Sequence, residues 1–222
     1  MIKLDKRKKY NLILDTEATG TLKNPLVYDL GFIVADKKGN IIFEDNYLIN
    51  QIFFDNDLMQ QAYFYDKVSS YYKALSSGKI KVTNVEGAKK IIDKTLKYFN
   101  ISTIMAYNVA FDKRALNNTM LYLCNKPFFD EHIDFNCIWN LACQVICKQK
   151  TFKKENIRNE KGNLITNAER VYQYVTGQKD FKEEHTALSD AKIENEILVN
   201  IYKQHKSVKN GINSCCWKIP QD

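Results

Sequence analysis

Tyr10-Asn11-Leu12-Ile13-Leu14-Asp15-Thr16-Glu17-Ala18-Thr19-Gly20 sets a short apolar run against an acidic end. A run of this length, bounded by a turn signal, predicts a buried strand. On a strand, residues i and i+2 share a face. The carboxylates of Asp15 and Glu17 then stand side by side where the strand ends. Two like charges so placed repel unless a cation lies between them. An all-oxygen donor set suits Mg2+ or Mn2+ better than zinc. Thr19-Gly20 predicts a tight turn that brings backbone N–H groups toward a ligand. With Asp and Glu at 26 of 222 positions, a lone D-x-E triplet also arises by chance, and a solvated strand end explains it equally.

Working outward, Val27 to Val34 and Ile41 to Ile49 are two more β-rich runs, and Lys37-Lys38-Gly39-Asn40 between them reads as a hairpin turn. The chain thus opens as an antiparallel meander. Asp57 to Leu75, with Tyr63, Phe64, Tyr65, Tyr71 and Tyr72, reads as irregular helix. Val85 to Phe99 carries an apolar stripe of Val85, Ala88, Ile92 and Leu96 at helical spacing. Ile101 to Tyr107 reads as a strand, then Phe111 to Leu123 and Phe135 to Cys147 as helices. Lys148 to Asn163 is polar and basic and reads as a loop. Asn167 to Val175 reads as a short helix closed by Gly177, and Thr186 to Tyr202 as a long one. Three strands followed by alternating helices and strands predict an α/β architecture with a mixed sheet, meander first and βαβ after.

Two further stretches place acids at element boundaries. In Ala106-Tyr107-Asn108-Val109-Ala110-Phe111-Asp112, a strand passes into a helix, with Asn108 at a cap position and Asp112 on the first turn. Open α/β sheets place ligands at such strand ends. A first-turn acid also suits the helix dipole with no ligand present. In His185-Thr186-Ala187-Leu188-Ser189-Asp190, an unbroken helix would turn about 500° between His185 and Asp190 and point them apart. They converge only if His185 belongs to the preceding loop and Asp190 to the inward face. Glu183-Glu184-His185-Thr186 fits a helix start there, with Thr186 as N-cap.

LDTEATG, AYNVAFDKRAL and EHTALSDA, in this order, resemble the three motifs of DEDDh exonucleases of the ribonuclease-H-like superfamily, which includes the proofreading subunit of bacterial replicative polymerase. The resemblance runs from about Tyr10 to Tyr202. A histidine five before the last Asp, in place of a tyrosine four before it, marks the h-type branch. The resemblance implies a ribonuclease-H-like mixed five-stranded sheet flanked by helices, and two divalent metal ions, Mg2+ or Mn2+. It implies Asp15, Glu17, Asp112, His185 and Asp190 as catalytic residues. Asp15, Glu17 and Asp190 would hold one metal, Asp15 would reach the second, Asp112 would act through water, and His185 would deprotonate the attacking water. Thr16, Ala18, Thr19, Asn108 and Phe111 would approach the substrate, although Phe111 fits core packing as well. Ala18 departs from the family, which often has a threonine there. The activity implied is 3′→5′ hydrolysis of single-stranded ends that releases nucleoside 5′-monophosphates. The expected substrate is single-stranded DNA before RNA. An exoribonuclease or short-oligonucleotide hydrolase of the same fold is the near alternative. A non-catalytic nucleic-acid-binding or regulatory module is the alternative of another class. A polymerase or repair protein is the partner that the resemblance suggests.

Composition sets the bounds. The chain has 222 residues, 45% of them hydrophobic and 12% aromatic, enough for one folded domain and against disorder as the main state. We expect that domain over residues 1–205 and a loosely ordered tail over 206–222, whose Trp217 can dock. The net charge of +7 fits a polyanionic partner. Lys148, Lys150, Lys153, Lys154 and Arg158 would add to such steering, or form a plain solvated loop. The aromatics from 63 to 72 fit core packing first and base stacking second. The basic start, Met1 to Lys9, lacks an apolar stretch after it and does not read as a secretory signal. The six cysteines, at 124, 137, 143, 147, 215 and 216, show no metal-binding spacing. Cys143 and Cys147 read as core residues, and a reduced, cytoplasmic compartment is the default. No apolar run is long enough for a membrane span.

Overall fold

A computed structural model of the chain describes residues 9–221. The reading of the basic N-terminus therefore lies outside the described residues, except for Lys9. Six strands form one sheet in the order β4-β3-β2-β1-β5-β6. They are β1 (Tyr10–Gly20), β2 (Pro25–Asp36), β3 (Ile41–Ile49), β4 (Lys81–Thr83), β5 (Thr103–Ala106) and β6 (Asp134–Cys137). The helices are α1 (Asn50–Phe53), α2 (Asn56–Met59), α3 (Val68–Ser76), α4 (Val85–Phe99), α5 (Val109–Cys124), α6 (Ile138–Val145), α7 (Lys150–Lys154), α8 (Ala168–Thr176) and α9 (Ala187–Lys203). The first three strands pair antiparallel, while β5 joins β1, and β6 joins β5, in parallel. This is the mixed sheet of the ribonuclease-H-like fold, with one strand more than the resemblance implies.

Period-two alternation sorts the strands into two cores. Leu12, Leu14, Leu30, Phe32 and Val34 pack with Ala88, Ile92 and Leu96 of α4 and Leu116 and Met120 of α5. Ile13, Ile33 and Met105 pack on the other face with Ile138 and Leu141 of α6 and Ile197, Leu198 and Ile201 of α9. Burial on both faces explains why the central strands read as near-continuous apolar runs. The same alternation puts Asp15 and Glu17 on the α9 face and Thr16 on the α5 face.

Four expectations need correction. Phe135 to Cys147 is not one helix: Asp134–Cys137 pairs in register with Thr103–Ala106, and the helix begins at Ile138. Pairing with a strand distant in sequence overrides a local helical pattern. Thr19-Gly20 is not a turn, because β1 runs through Gly20 and the chain turns at Thr21–Asn24. The polar stretch 148–163 contains α7. The tail also differs from its expected looseness. Asn140 Nδ2 donates to the Lys209 carbonyl (3.1 Å), the Lys209 N–H donates to Gln144 Oε1 (2.8 Å), and Cys216 is fully buried in the second core. Cys143 and Cys147 are buried free thiols, as core residues should be. Asn167 and Gly177 cap α8 as read, with Gly177 in the left-handed region at φ 75°. Among the described residues, no helix is long and apolar enough to cross a membrane.

Candidate active site

The carboxylates gather where β1 leaves the core. A bulge between Glu17 and Ala18 shifts the register with β2 and ends regular pairing beside the acids. Opposite Asp15 on β2 stands Gly31, and opposite Glu17 stands Asp29. Gly31 is required by a close approach: a Cβ there would lie 2.1 Å from the backbone nitrogen of Leu188. The N-terminus of α9 thus rests directly on the sheet beside Asp15. Asp29, fully buried, accepts the Ala187 N–H (3.1 Å) and the Tyr71 hydroxyl (2.8 Å). It supplies from a neighbouring strand the cap that Thr186, which makes no side-chain cap bond, does not.

His185 lies in the loop before α9 with φ 50°, a left-handed conformation uncommon for a residue with a Cβ. That backbone turn lets it converge with Asp190 on the first turn of α9. Its Nδ1 is 3.9 Å from Asp190 Oδ2 and 3.8 Å from Glu183 Oε2. Its ring stacks on Phe64, with centroids 4.2 Å apart and planes at 15°. Glu17, His185 and Asp190 each offer a ligand atom within 4.8 Å of the others. Asp112, buried on the first turn of α5, accepts a 2.9 Å hydrogen bond from Thr16 Oγ1. Its charge, with those of Glu194, Asp190 and Glu17, bears on Asp15. The five residues read from sequence as catalytic therefore share one end of the sheet.

Burial raises every one of these acids, and repulsion from neighbouring carboxylates adds to it at Asp15, Glu17 and Asp190. Burial first, then Asp112 and Glu194, hold Asp15 well above the carboxylate range. Glu17 is pushed to about 9 by burial and then Asp190. Asp190 reaches about 8, by burial and then Glu183. Asp112 reaches about 7 by burial, against the Thr16 hydrogen bond. His185 is lowered, by burial and then by Lys67. Such a cluster either holds protons or binds a cation. A divalent ion fits it. Asp190 Oδ1 and Glu194 Oε2 are buried without a hydrogen-bond partner, and the donors are mainly carboxylate oxygens.

The softer positions divide. Thr16 and Thr19 are buried, and their hydroxyls are spent on Asp112 and on the Leu58 carbonyl, so neither side chain is free for a substrate. Ala18 is half-buried beside the bulge. Asn108 is exposed, at φ 67°, before α5. Phe111 packs against the first core, with the Arg114 guanidinium 5.7 Å from its ring centroid.

Sequence reading missed Asp29, Gly31, Phe64 and Glu194. Glu194 was within reach, since it follows Asp190 by four residues and so shares its helix face. It is buried, held well above the usual range by burial and by Asp112. The aromatic segment serves two ends: Tyr71 is core, Phe64 covers His185, and Tyr63 is 89% exposed.

No family model matches the sequence, and no curated protein does. Solved structures do. Escherichia coli exonuclease I in complex with a 5cy-dT13 oligonucleotide superposes with a TM-score of 0.54 at 16% identity, over 86% of this chain and 40% of that one. The zinc-bound form of the same enzyme with single-stranded DNA gives 0.54 at 14%, over 89% and 41%. The cell-death related nuclease CRN-4 gives 0.54 at 10%, over 93% and 67%. At these identities the likeness establishes a common fold. The chain spans about two fifths of the length of exonuclease I.

Proposed function

We propose that the protein is a metal-dependent 3′→5′ exonuclease that hydrolyses phosphodiester bonds at single-stranded ends, DNA before RNA, and releases nucleoside 5′-monophosphates. The observation that carries this reading is the convergence of Asp15, Glu17, Asp112, Asp190 and partly buried His185 at one end of a ribonuclease-H-like sheet, with all four acids raised by desolvation. A binding module has no need to gather four acids so close to one another. The fold's likeness to exonuclease I and CRN-4, and the oligonucleotide bound to exonuclease I, support the substrate class.

Asp15, Glu17 and Asp190 would hold one Mg2+ or Mn2+ ion, Asp15 would reach a second, and Asp112 would act on it through water. Bound there, two such ions would supply neutralisation of charge on the phosphate and a lowered pKa for water. The chain's own residues do the rest. His185 is neutral at pH 7 because burial and Lys67 lower its pKa, so it can accept the proton of the attacking water. Nδ1 stands 3.8 Å from Glu183 Oε2 and 3.9 Å from Asp190 Oδ2, so the resting N–H would face these carboxylates from Nδ1 and the lone pair of Nε2 would take the proton of the water. Phe64 fixes the plane of the ring by stacking on it. With the Thr16 and Thr19 hydroxyls engaged internally, contact with the terminal nucleotide falls to the backbone from 16 to 19, and to Asn108 and Phe111.

The products of a single-stranded DNA digest test this directly. Nucleoside 5′-monophosphates should appear in Mg2+ or Mn2+, and Asp15→Ala should slow their release at least about a hundredfold. Absence of mononucleotides from the wild type, or full activity in the variant, would overturn the proposal.

A further inference from the structure

We propose that a cavity beside the acidic cluster is a second nucleobase site, which holds the strand upstream of its terminal nucleotide; this rests on the exonuclease reading above. The cavity, of about 620 Å3, is walled by Tyr107, Trp139 and Trp217 and rimmed by Asn108, Lys161 and Asn163. Its volume falls in the range of small-ligand sites.

Three observations point to a nucleobase. The aromatic walls are fixed in place. Tyr107 and Trp139 lie with planes at 23° and centroids 6.3 Å apart. Their polar atoms both end on buried Thr166: Trp139 Nε1 donates to its Oγ1 (2.9 Å), and the Tyr107 hydroxyl to its carbonyl. That leaves ring surface as what they offer, and base stacking on such surface is tolerant of sequence.

The rim carries matching chemistry. Asn108 and Asn163 bring amides that can pair with base edges, and exposed Lys161 brings a cation for the phosphate. The enclosing loop is also pre-formed. Arg158 bridges to Leu164 across the turn, its guanidinium donates to the Gly162 carbonyl (2.6 Å), and the Leu164 N–H donates to Gln221 Oε1 (2.8 Å).

The cavity adjoins the acids. Tyr107, whose ring lines it, directs its backbone N–H at the Glu194 carboxylate. Asn108 lines it immediately before α5, the helix that carries Asp112. A strand whose last phosphate meets the acids therefore has an aromatic wall next to it.

Both tryptophans of the chain, Trp139 and Trp217, line this cavity, so intrinsic fluorescence reports on it. In Mg2+, with Asp190→Asn to spare the strand, a ten-nucleotide single-stranded DNA should quench tryptophan emission, and thymidine 5′-monophosphate should not. In parallel, wild type, Trp217→Ala and Lys161→Ala are assayed on that strand and on the p-nitrophenyl ester of thymidine 5′-monophosphate, which carries a single base. Each variant should lower the ratio of kcat/KM for the strand over the ester about tenfold. An ester that is cleaved, with no quenching and unchanged ratios, would overturn the cavity proposal and leave the exonuclease intact. Quenching by the strand with neither substrate cleaved by wild type would support the cavity and overturn the exonuclease. Equal quenching by the mononucleotide would place the terminal base, and not an upstream one, in the cavity and so overturn the proposal.

Discussion

At the scale of the residue, His185 is where function and backbone meet. It occupies the left-handed region, and it is stacked, partly buried and flanked by Glu183 and Asp190. A residue held in a sparsely populated conformation at an acidic cluster costs about 1–3 kcal/mol and persists only if its surroundings impose it. His185→Ala should lower kcat at least about a hundredfold while KM moves little, because the lost group acts on the proton and not on the strand. Steady-state kinetics decide it. The pKa of His185 is lowered from 6.5, so with metal saturating at every pH the acidic limb of the kcat/KM profile should fall below pH 6.5. Below that limb the imidazole is protonated and cannot accept a proton; above it the base is intact. A limb above pH 6.5 would contradict the assignment. These residues were legible because a strand end, a helix start and a loop each fix where an acid or a histidine points. Phe64 was not, since its ring meets His185 across 121 positions of chain, and no local pattern encodes that.

At the scale of the element, the start of α9 decides the site. Two residues of β2 hold it: Gly31 by having no Cβ, and Asp29 by capping Ala187. Gly31→Ala sets a methyl 2.1 Å from backbone, which flexible side chains cannot absorb. A loss of at least about 2 kcal/mol is expected in denaturant unfolding, within the range for overpacking. Asp29→Ala leaves the Ala187 N–H and the Tyr71 hydroxyl without their buried partner, and should cost about 1–3 kcal/mol. A stability within error of wild type for both variants would contradict this account of the helix start. The pattern of β1 to β3, α4, α8 and α9 was readable because period and caps are local. The β6 strand and the docked tail were not. Asp134–Cys137 is a strand only because β5 is there to pair with it, and Cys216 is buried only because α6 is there to receive it.

At the scale of the molecule, the acids link stability to pH and to metal. Glu17, Asp112 and Asp190 have ordinary values of 4.5, 3.8 and 3.8, and stand in the fold at about 9, 7 and 8. Each therefore keeps its proton in the folded state after the unfolded chain has lost it. Stability in chelator is highest below about pH 4 as far as these groups are concerned, and falls as pH rises toward 9. Mg2+ or Mn2+ should reverse this loss, and more so at pH 8 than at pH 6, since a cation competes with fewer protons there. In a chain of this size each kcal/mol moves Tm by about 2–4 °C, so thermal scans at the two pH values resolve it. A metal-induced shift that shrinks with rising pH, or is equally large in Asp15→Asn, would contradict the metal assignment.

One measurement bears most directly on the whole account. Matched 5′-labelled single-stranded DNA and RNA oligonucleotides are incubated with Mg2+, Mn2+ or chelator, beside Asp190→Asn. The account predicts a ladder that shortens from the 3′ end, needs metal, is faster on DNA and is absent in the variant. Intact strands in every lane, or a ladder that persists in chelator or in Asp190→Asn, would contradict it.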